Sequence, residues 1–461
     1  LPDGFIWEII PSVSRSRPKL SHRFEFALYR GIGALLDALP MGSCTALGRG
    51  LGRAFYHFGG KYRRLVRRNL RIATTERPPA PEALDALVRE TFQRVGANVL
   101  ASLKTPTLAR RDAAHPHFSL VGFGILKKNH RDGFGTVVAL PHMGNWEALP
   151  QIHTPFPAGG IYRPLSNPLM DDLIRRRRTA DGSLVFSRKD GFHAPSAFLR
   201  GGGALAILSD QRAGGRGAAM PFFGKLTTCP PLPELLARRG KARVAALSVV
   251  TAGPARWELR LREVPRPTTA AIVRGIEAAI RESPADVFWF HDRWRTDSRR
   301  PLSLFTALDP KVAATATVPL RLLFTAPADA TADDLRALVE SMAAHRPDLR
   351  LDQLVRPGTE PIEHPSIDPH DFDDSLPREQ LDGLLERIDA ARPGPLDGAL
   401  CFGGESDLAR AARRFGLRCV IGLGVRGKPW THSYERPRKP EGWRKLADTM
   451  AEVPRRRRRR P

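Results

Sequence analysis

Apolar residues recur along this chain with a helical period first and a strand-like period later, and the change between them marks its parts. Up to about Thr105 the spacing is helical. Between Phe24 and Gly59 an apolar stretch is interrupted by Arg30, Asp37, Pro40, Arg49 and Arg53. It predicts two helices, Phe24 to Leu39 and Ser43 to Phe58. They separate at Pro40 and Gly42, since proline lacks the donor that a continuing helix needs and glycine is too free to sustain one. Tyr62 to Ile72 is basic, and Pro81 to Leu100 puts Leu84, Leu87, Val88, Phe92, Val95 and Val99 at helical spacing. From Phe118 to about Arg295 short apolar runs alternate with helical patterns. The runs are Thr136 to Leu140, Leu184 to Phe186, Ala204 to Leu208, Arg243 to Val250 and Trp257 to Glu263. Strand–helix alternation predicts stacked α/β layers.

A shift in composition follows. Residues 301–317 are rich in Pro and Ala and are expected to be a linker. Beyond them, strands are expected at Leu320 to Phe324, Leu349 to Val355, Ala399 to Phe402 and Cys419 to Leu423. Helices are expected at Ala332 to Ala344, Arg378 to Ala391 and Ser406 to Phe415, with an acidic, turn-rich stretch around Asp368, Asp371, Asp373 and Asp374. That order predicts a small doubly wound domain. The organisation expected is a helical segment over 1–105, an α/β layered domain over 106–300, the linker, a small Rossmann-like domain over 318–453, and a basic disordered tail over 454–461.

Charge narrows the partners. The chain has 461 residues and a formal net charge of +25, which favours polyanions: nucleic acid, anionic lipid headgroups or an acidic carrier protein. No zinc-finger spacing, RNP-like aromatic block or helix-turn-helix pattern is present, so nucleic acid is not expected as a partner. Many of the arginines are simply solvated surface. Cys44, Cys229, Cys401 and Cys419 are far apart and form no CxxC pair, which fits a reducing compartment. No apolar run reaches about twenty residues, so no transmembrane helix is expected. The two N-terminal helices either lie in a membrane interface or pack on the domain. The chain begins at Leu1, which leaves room for residues upstream, and no secretory leader is expected. The run Arg455 to Arg460 would be drawn to an anionic membrane surface, or is a plain solvated tail.

The candidate chemistry lies just after the first strong strand. Gly135 to Leu140 is a buried-strand run, and Pro141-His142-Met143-Gly144-Asn145-Trp146-Glu147 follows it. If a helix begins after Pro141, His142 and Glu147 are about one and a half turns apart. A carboxylate on one ring nitrogen fixes the tautomer and leaves the other free to take a proton from a hydroxyl. On spacing alone the pair is common, and a histidine at a strand end is more often a satisfied structural residue. The Gln151-Ile152-His153 neighbourhood has no HExxH spacing, so no metal is expected, and no cofactor motif is present.

His142-x4-Glu147 within His-Met-Gly-Asn-Trp-Glu resembles the HX4(D/E) motif of the lysophospholipid acyltransferase superfamily. The flanking blocks are similar to its lipid A late-acyltransferase branch, the lauroyl and myristoyl transferases. Ile161 to Leu169 resembles the family's VYRP-x-x-NP-L. Leu208-Ser209-Asp210-Gln211 resembles its DQ block, Pro221-Phe222-Phe223-Gly224 its FFG, and Phe288 to Arg295 its closing tryptophan–histidine–arginine block. The blocks stand in the family's order over the middle third of the chain. The resemblance implies His142 as general base with Glu147 as its orienting partner. Asn145 would donate to the oxyanion or cap a helix. Arg163 would hold a phosphate of the acceptor or of the carrier's phosphopantetheine, and Asp210 and Gln211 would position the acceptor or cap a turn. Phe222 and Phe223 would line an acyl slot or pack in a core. Trp289, His291, Arg293 and Trp294 would suit a site near the lipid interface.

The activity so implied is acyl transfer from acyl carrier protein, or acyl-CoA, to a hydroxyl of a glycolipid or lipid A precursor. It would take place at the cytoplasmic face of a bacterial inner membrane. The rival is an inactive membrane- or polyanion-binding protein of the same fold. Gly403-Gly404-Glu405-Ser406-Asp407 weakly resembles a heptosyltransferase-like nucleotide-binding signature, with Asp407 at the histidine position. This implies a degenerate remnant or interaction domain rather than a second, glycosyltransferase activity.

Overall fold

The computed structural model describes residues 17–108, 116–152, 154–179, 182–187 and 191–452. The arginine run Arg455 to Arg460 lies outside them. In chain order the elements begin with helices α1 (Leu20–Asp37), α2 (Met41–Phe58), α3 (Gly60–Ala73) and α4 (Pro81–Leu108). Then come β1 (Phe118–Val121), α5 (Gly124–Arg131), β2 (Thr136–Leu140), a 3-10 turn (Trp146–Gln151), β3 (Ala158–Tyr162), α6 (Pro168–Thr179), β4 (Leu184–Ser187), α7 (His193–Arg200) and β5 (Ala204–Leu208). A hairpin β6 (Ala218–Phe222) and β7 (Lys225–Cys229) precedes α8 (Leu232–Gly240), β8 (Arg243–Gly253), β9 (Arg256–Val264), α9 (Thr269–Glu282) and α10 (Pro310–Ala313). The last part holds β10 (Leu320–Thr325), α11 (Ala332–His345), β11 (Leu349–Val355), β12 (Ile367–Asp371), α12 (Arg378–Ala390), β13 (Gly398–Cys401), α13 (Ser406–Phe415), β14 (Val420–Leu423), β15 (His432–Tyr434) and α14 (Pro440–Ala451). The fold is α/β, as the alternation predicts.

These elements form two units, each assembled from separate chain segments. The first comprises residues up to Gly60, Asp85–Gln211 and Pro230–Phe288. Its sheet has the order β1-β9-β8-β2-β5-β3-β4, parallel except where β8 and β9 run antiparallel. All five residues of β2 are buried, so its continuous apolar run is a central strand covered on both faces. One face carries Val138, Leu140, Ala204, Leu247 and Leu261 into a core shared with Leu126, Phe156 and Trp257. Helices α2 and α4 meet at glycines. A Cβ on Gly48 would lie 2.4 Å from the Gly96 carbonyl, and one on Gly52 would lie 2.1 Å from that of Phe92. Only glycine lets the two backbones approach so closely. Bidentate hydrogen bonds from Arg49 to Glu90, 3.0 and 2.9 Å, fasten the same crossing.

The second unit comprises Lys61–Leu84, Arg212–Cys229 and the chain from Trp289 onward. Its sheet has the order β12-β11-β10-β13-β14-β15 with every pair parallel. Numbered within this sheet, that is 3-2-1-4-5-6, the doubly wound order with its switch point between β10 and β13. The stretch expected to be acidic and turn-rich contains β12. It is an edge strand, where Pro369, opposite Gln353, needs no ladder donor. The 301–317 stretch buries Leu302, Leu304 and Ala313, and the Leu302 N–H donates to the Met450 carbonyl at 3.2 Å.

Candidate active site

The register of two neighbouring parallel strands builds the centre of the site. Leu140 of β2 pairs with Leu208 of β5. Two residues beyond each lie His142 and Asp210, so the sheet brings them side by side although they are 68 residues apart in sequence. The His142 Nδ1 and Asp210 Oδ1 are 2.7 Å apart, and the His142 N–H donates to Asp210 Oδ2 at 3.1 Å. A carboxylate only accepts, so Nδ1 carries the proton and Nε2 keeps its lone pair. Asp210 is 2 % exposed, while the His142 side chain stays partly accessible. Trp146 meets the imidazole edge-on, with ring centroids 5.3 Å apart.

The loop carrying His142 is held from the far side. The Phe288 N–H donates to the His142 carbonyl at 2.8 Å, and the Gly144 N–H donates to the Asp286 carbonyl at 2.9 Å. Asp286 is buried and anchored in turn, accepting from the Thr251 N–H (2.9 Å), the Thr251 and Ser283 hydroxyls (2.5 and 2.6 Å) and Arg94 (3.0 Å). Gly144 has φ +56°, and a Cβ there would sit 2.2 Å from the Val249 carbonyl oxygen. The sharp turn therefore requires glycine.

The carboxylate expected on His142 makes a different bond. After Pro141 the chain does not enter an α-helix. Met143 bridges to Val287, and a 3-10 turn starts only at Trp146. Glu147 is thereby directed at Arg178 of α6, which donates to it from both Nη2 (2.5 Å) and Nε (3.2 Å). The orienting partner of the imidazole is Asp210, with Glu147 acting on it through space. Burial alone would lower the His142 pKa. The charge of Asp210, its hydrogen bond and the charge of Glu147 outweigh that, and the pKa is raised above its ordinary value.

Beside Glu147 opens an apolar cleft of about 970 Å³, counting its mouth. Small residues make the room: Ala158, Gly159 and Gly160 of β3 and Ala204 and Ala206 of β5 leave the sheet face uncovered. Leu126, Leu149, Ile152, Phe156, Leu247 and Leu261 wall it. Tyr162 and Arg178 are at its polar end, with the guanidinium 5.8 Å from the tyrosine ring centroid. An apolar slot ending in a few polar groups suits a ligand with one long hydrophobic part.

The other expected site residues are distributed unevenly. Asn145 is buried at the start of the 3-10 turn, and its side chain makes no capping bond there. Arg163 and Gln211 are exposed. Asn167, from the block that contains Arg163, has a structural task. It donates to the His22 carbonyl (2.9 Å) and Glu25 (3.0 Å) of α1, and accepts from the Leu169 N–H (3.1 Å). Phe222, Phe223 and Arg293 belong to the second unit. The phenylalanines, expected at an acyl slot, are 2 % and 4 % exposed and pack in the hairpin's interior, with Phe222 stacked on Trp294. Arg293, expected near a lipid interface, is 1 % exposed. It donates to the Thr227 hydroxyl at 2.8 Å and lies over the Phe222 ring, so it holds the hairpin together. Trp289 and Trp294 of the same block are buried as well. Arg178 was not singled out by sequence reasoning. It sits in the run Arg175 to Arg178, which reads as a solvated basic face, and nothing in that run marks the one arginine that turns toward Glu147.

Among the described residues no cluster of His, Cys, Asp and Glu is arranged to hold a metal. An α/β layered domain that sets an imidazole–carboxylate pair beside an apolar cleft has the parts of an enzyme acting on apolar substrates. Residues 14–296, more than half of the chain, match the bacterial lipid A biosynthesis acyltransferase family, and the chain belongs to that family. It is an acyltransferase of lipid A biosynthesis, the pathway to the lipid part of lipopolysaccharide, and it requires an acyl donor and a lipid acceptor. No curated protein matches the chain.

Proposed function

We propose that the protein moves a fatty acyl group from the thioester of an acyl carrier protein to a hydroxyl of a lipid A precursor, with His142 as general base. The observation that carries this reading is the imidazole itself. Asp210 holds Nδ1–H, and Nε2 is left as the acceptor. The acceptor hydroxyl gives its proton to Nε2 as its oxygen attacks the thioester carbonyl carbon. The tetrahedral oxyanion collapses, the C–S bond breaks, and the thiolate takes the proton from the imidazolium. Asp210 stabilises the imidazolium between the two steps. Glu147 adds negative charge and is kept in place by Arg178. The apolar cleft takes the acyl chain. A carrier donor fits the charge of +25 better than an uncharged surface would, because carrier proteins are acidic.

Mass spectrometry of lipids from cells with and without the protein tests the activity. The expected difference is one fatty acyl unit on a lipid A precursor, and an unchanged lipid profile would overturn the proposal. Ala206→Phe, which fills the floor of the cleft, should shift the added acyl group to shorter chains. The same chain length in the variant would remove the cleft from the mechanism.

Membrane attachment belongs to the same reading. Among the described residues no helix is long and apolar enough to cross a membrane. Helices α1 and α2 nevertheless expose Leu20, Phe24, Leu28, Leu35, Leu47, Leu51, Phe55 and Phe58, with Phe24 71 % and Phe58 89 % exposed. Arg23, Arg30 and Arg53 are exposed beside them. Seating an apolar side chain of this size in a lipid interface contributes roughly 1.5–3 kcal/mol, and nearby basic residues add attraction to anionic lipid. Flotation with vesicles should show binding that needs anionic lipid and weakens as salt rises. Phe24→Asp with Leu28→Asp should reduce it at least about tenfold. Undiminished flotation of that double variant would show that these helices do not hold the membrane.

A further inference from the structure

In the second unit, a small open cleft is lined by Arg212, Lys225, Thr227, Arg295, Thr296 and Ser303, together with the Asp397 carboxylate. The charges around it are not all balanced. Lys225 is matched by Asp397 at 2.8 Å, and Arg346, also on the lining, by Asp348 at 2.7 Å. Arg212 and Arg295 have no ion pair among the described residues. The carboxylates nearest in charge to Arg212 are already engaged. Asp292 accepts from Arg68 and Arg418, and Asp297 accepts from the Arg299 and Arg300 N–H groups.

Arg212 is also built into place. Its guanidinium carbon lies 5.2 Å from the centroid of the Phe305 ring. Phe305 has φ +60°, a left-handed backbone that a bulky residue adopts only under constraint. Its N–H is fastened to the Ser303 hydroxyl at 3.0 Å. Burial lowers the Arg212 pKa, and the charge of Asp292 only partly offsets this. A half-buried guanidinium without a counter-ion costs stability unless something anionic joins it.

We propose that this cleft binds a phosphate monoester group. Two guanidinium groups match the charge of a phosphate dianion, and their planar forks match its oxygens. The hydroxyls of Thr296 and Ser303 add neutral polar groups around the remaining oxygens, while that of Thr227 is held by Arg293. The inference does not rest on the acyl-transfer reading. The phosphate belongs either to a lipid headgroup or to a small soluble molecule, and binding measurements separate the two.

The full-length protein is titrated calorimetrically with inorganic phosphate, and its flotation is measured with phosphatidylcholine vesicles containing phosphatidic acid. Phosphate affinity should fall about tenfold or more in Arg212→Gln and in Arg295→Gln. It should stay unchanged in Arg410→Gln, which removes an exposed arginine far along the chain and controls for net charge. Arg212→Lys should be intermediate, keeping the charge but losing the fork. If flotation on phosphatidic acid also falls in Arg212→Gln and is competed by free phosphate, the ligand is a lipid headgroup. If flotation is unchanged while phosphate binding falls, the ligand is soluble. Equal phosphate affinity in Arg212→Gln, Arg295→Gln and the control overturns the site. Arg295 is exposed, so its variant carries the test even if Arg212→Gln folds poorly.

Discussion

Replacing His142 with alanine should lower acyl-transfer turnover by about two to four orders of magnitude, the usual worth of a positioned general base. The fold should survive, because the side chain is partly accessible and its loop is held by backbone bonds to Phe288 and Asp286. Asp210→Asn should cost nearly as much. An asparagine can donate to Nδ1, which puts the proton on Nε2, where the acceptor hydroxyl must deliver its own. Glu147→Gln should be milder and should move the pH profile. The working form is the neutral imidazole, present above the His142 pKa, so activity falls as pH drops through it. That pKa is raised, in part by the charge of Glu147. Removing the charge therefore moves the acidic limb to lower pH. Steady-state rates with an acyl-carrier thioester, measured across pH, check all three. An unchanged rate in His142→Ala would sink the mechanism, and an unmoved limb in Glu147→Gln would remove that residue from the electrostatics of the site.

How far the site was legible follows from the span of each interaction. The strand ending at Leu140 and the histidine beyond it are local, and the apolar run predicts them directly. Asp210 was legible as a site residue from its own block, but its bond to His142 depends on β2 lying beside β5 in a register that pairs Leu140 with Leu208. No periodicity carries that. Glu147 looked like the partner because a helix after Pro141 would have brought it round. The turn at Gly144 and the bridge at Met143 break that geometry. Arg293 and its tryptophans looked interfacial because amphipathic aromatics beside a cation suit a lipid boundary. The same composition serves a buried pair of stacked rings, and only the β6–β7 hairpin settles which. In the second unit the strand–helix alternation was plain. β12 was hidden by Asp368, Pro369 and Asp371, residues that an edge strand tolerates and a central one does not.

Asp397→Ala should destabilise the second unit by about 3–5 kcal/mol, the range for removing one partner of a buried ion pair. Its carboxylate is fully buried between two cations, accepting from Arg68 at 2.5 Å and Lys225 at 2.8 Å, and it also accepts from the Arg321 N–H at 2.9 Å. Burial alone would raise its pKa, but Lys225 and Arg68 outweigh burial and hold it below the usual carboxylate range. The stability it contributes is present above that range and is lost as pH falls through the depressed value. In the variant this acid-sensitive part should vanish. Lys225, already pulled down by burial, can shed its proton, while Arg68 stays charged and is left with Asp292 alone, at 3.3 Å. The same three residues predict the outcome of truncation. A chain ending near Pro310 keeps Arg68 on α3 and Lys225 on β7 but loses Asp397, the strands β10 to β15 and their core. It should be insoluble or unfolded, not a smaller working enzyme. Urea denaturation of the full-length variant across pH, with expression of the truncated chain, checks both. A midpoint for Asp397→Ala equal to that of the unaltered protein, or a soluble, cooperatively folding chain ending at Pro310, would show that the ion-pair cluster does not hold the unit together.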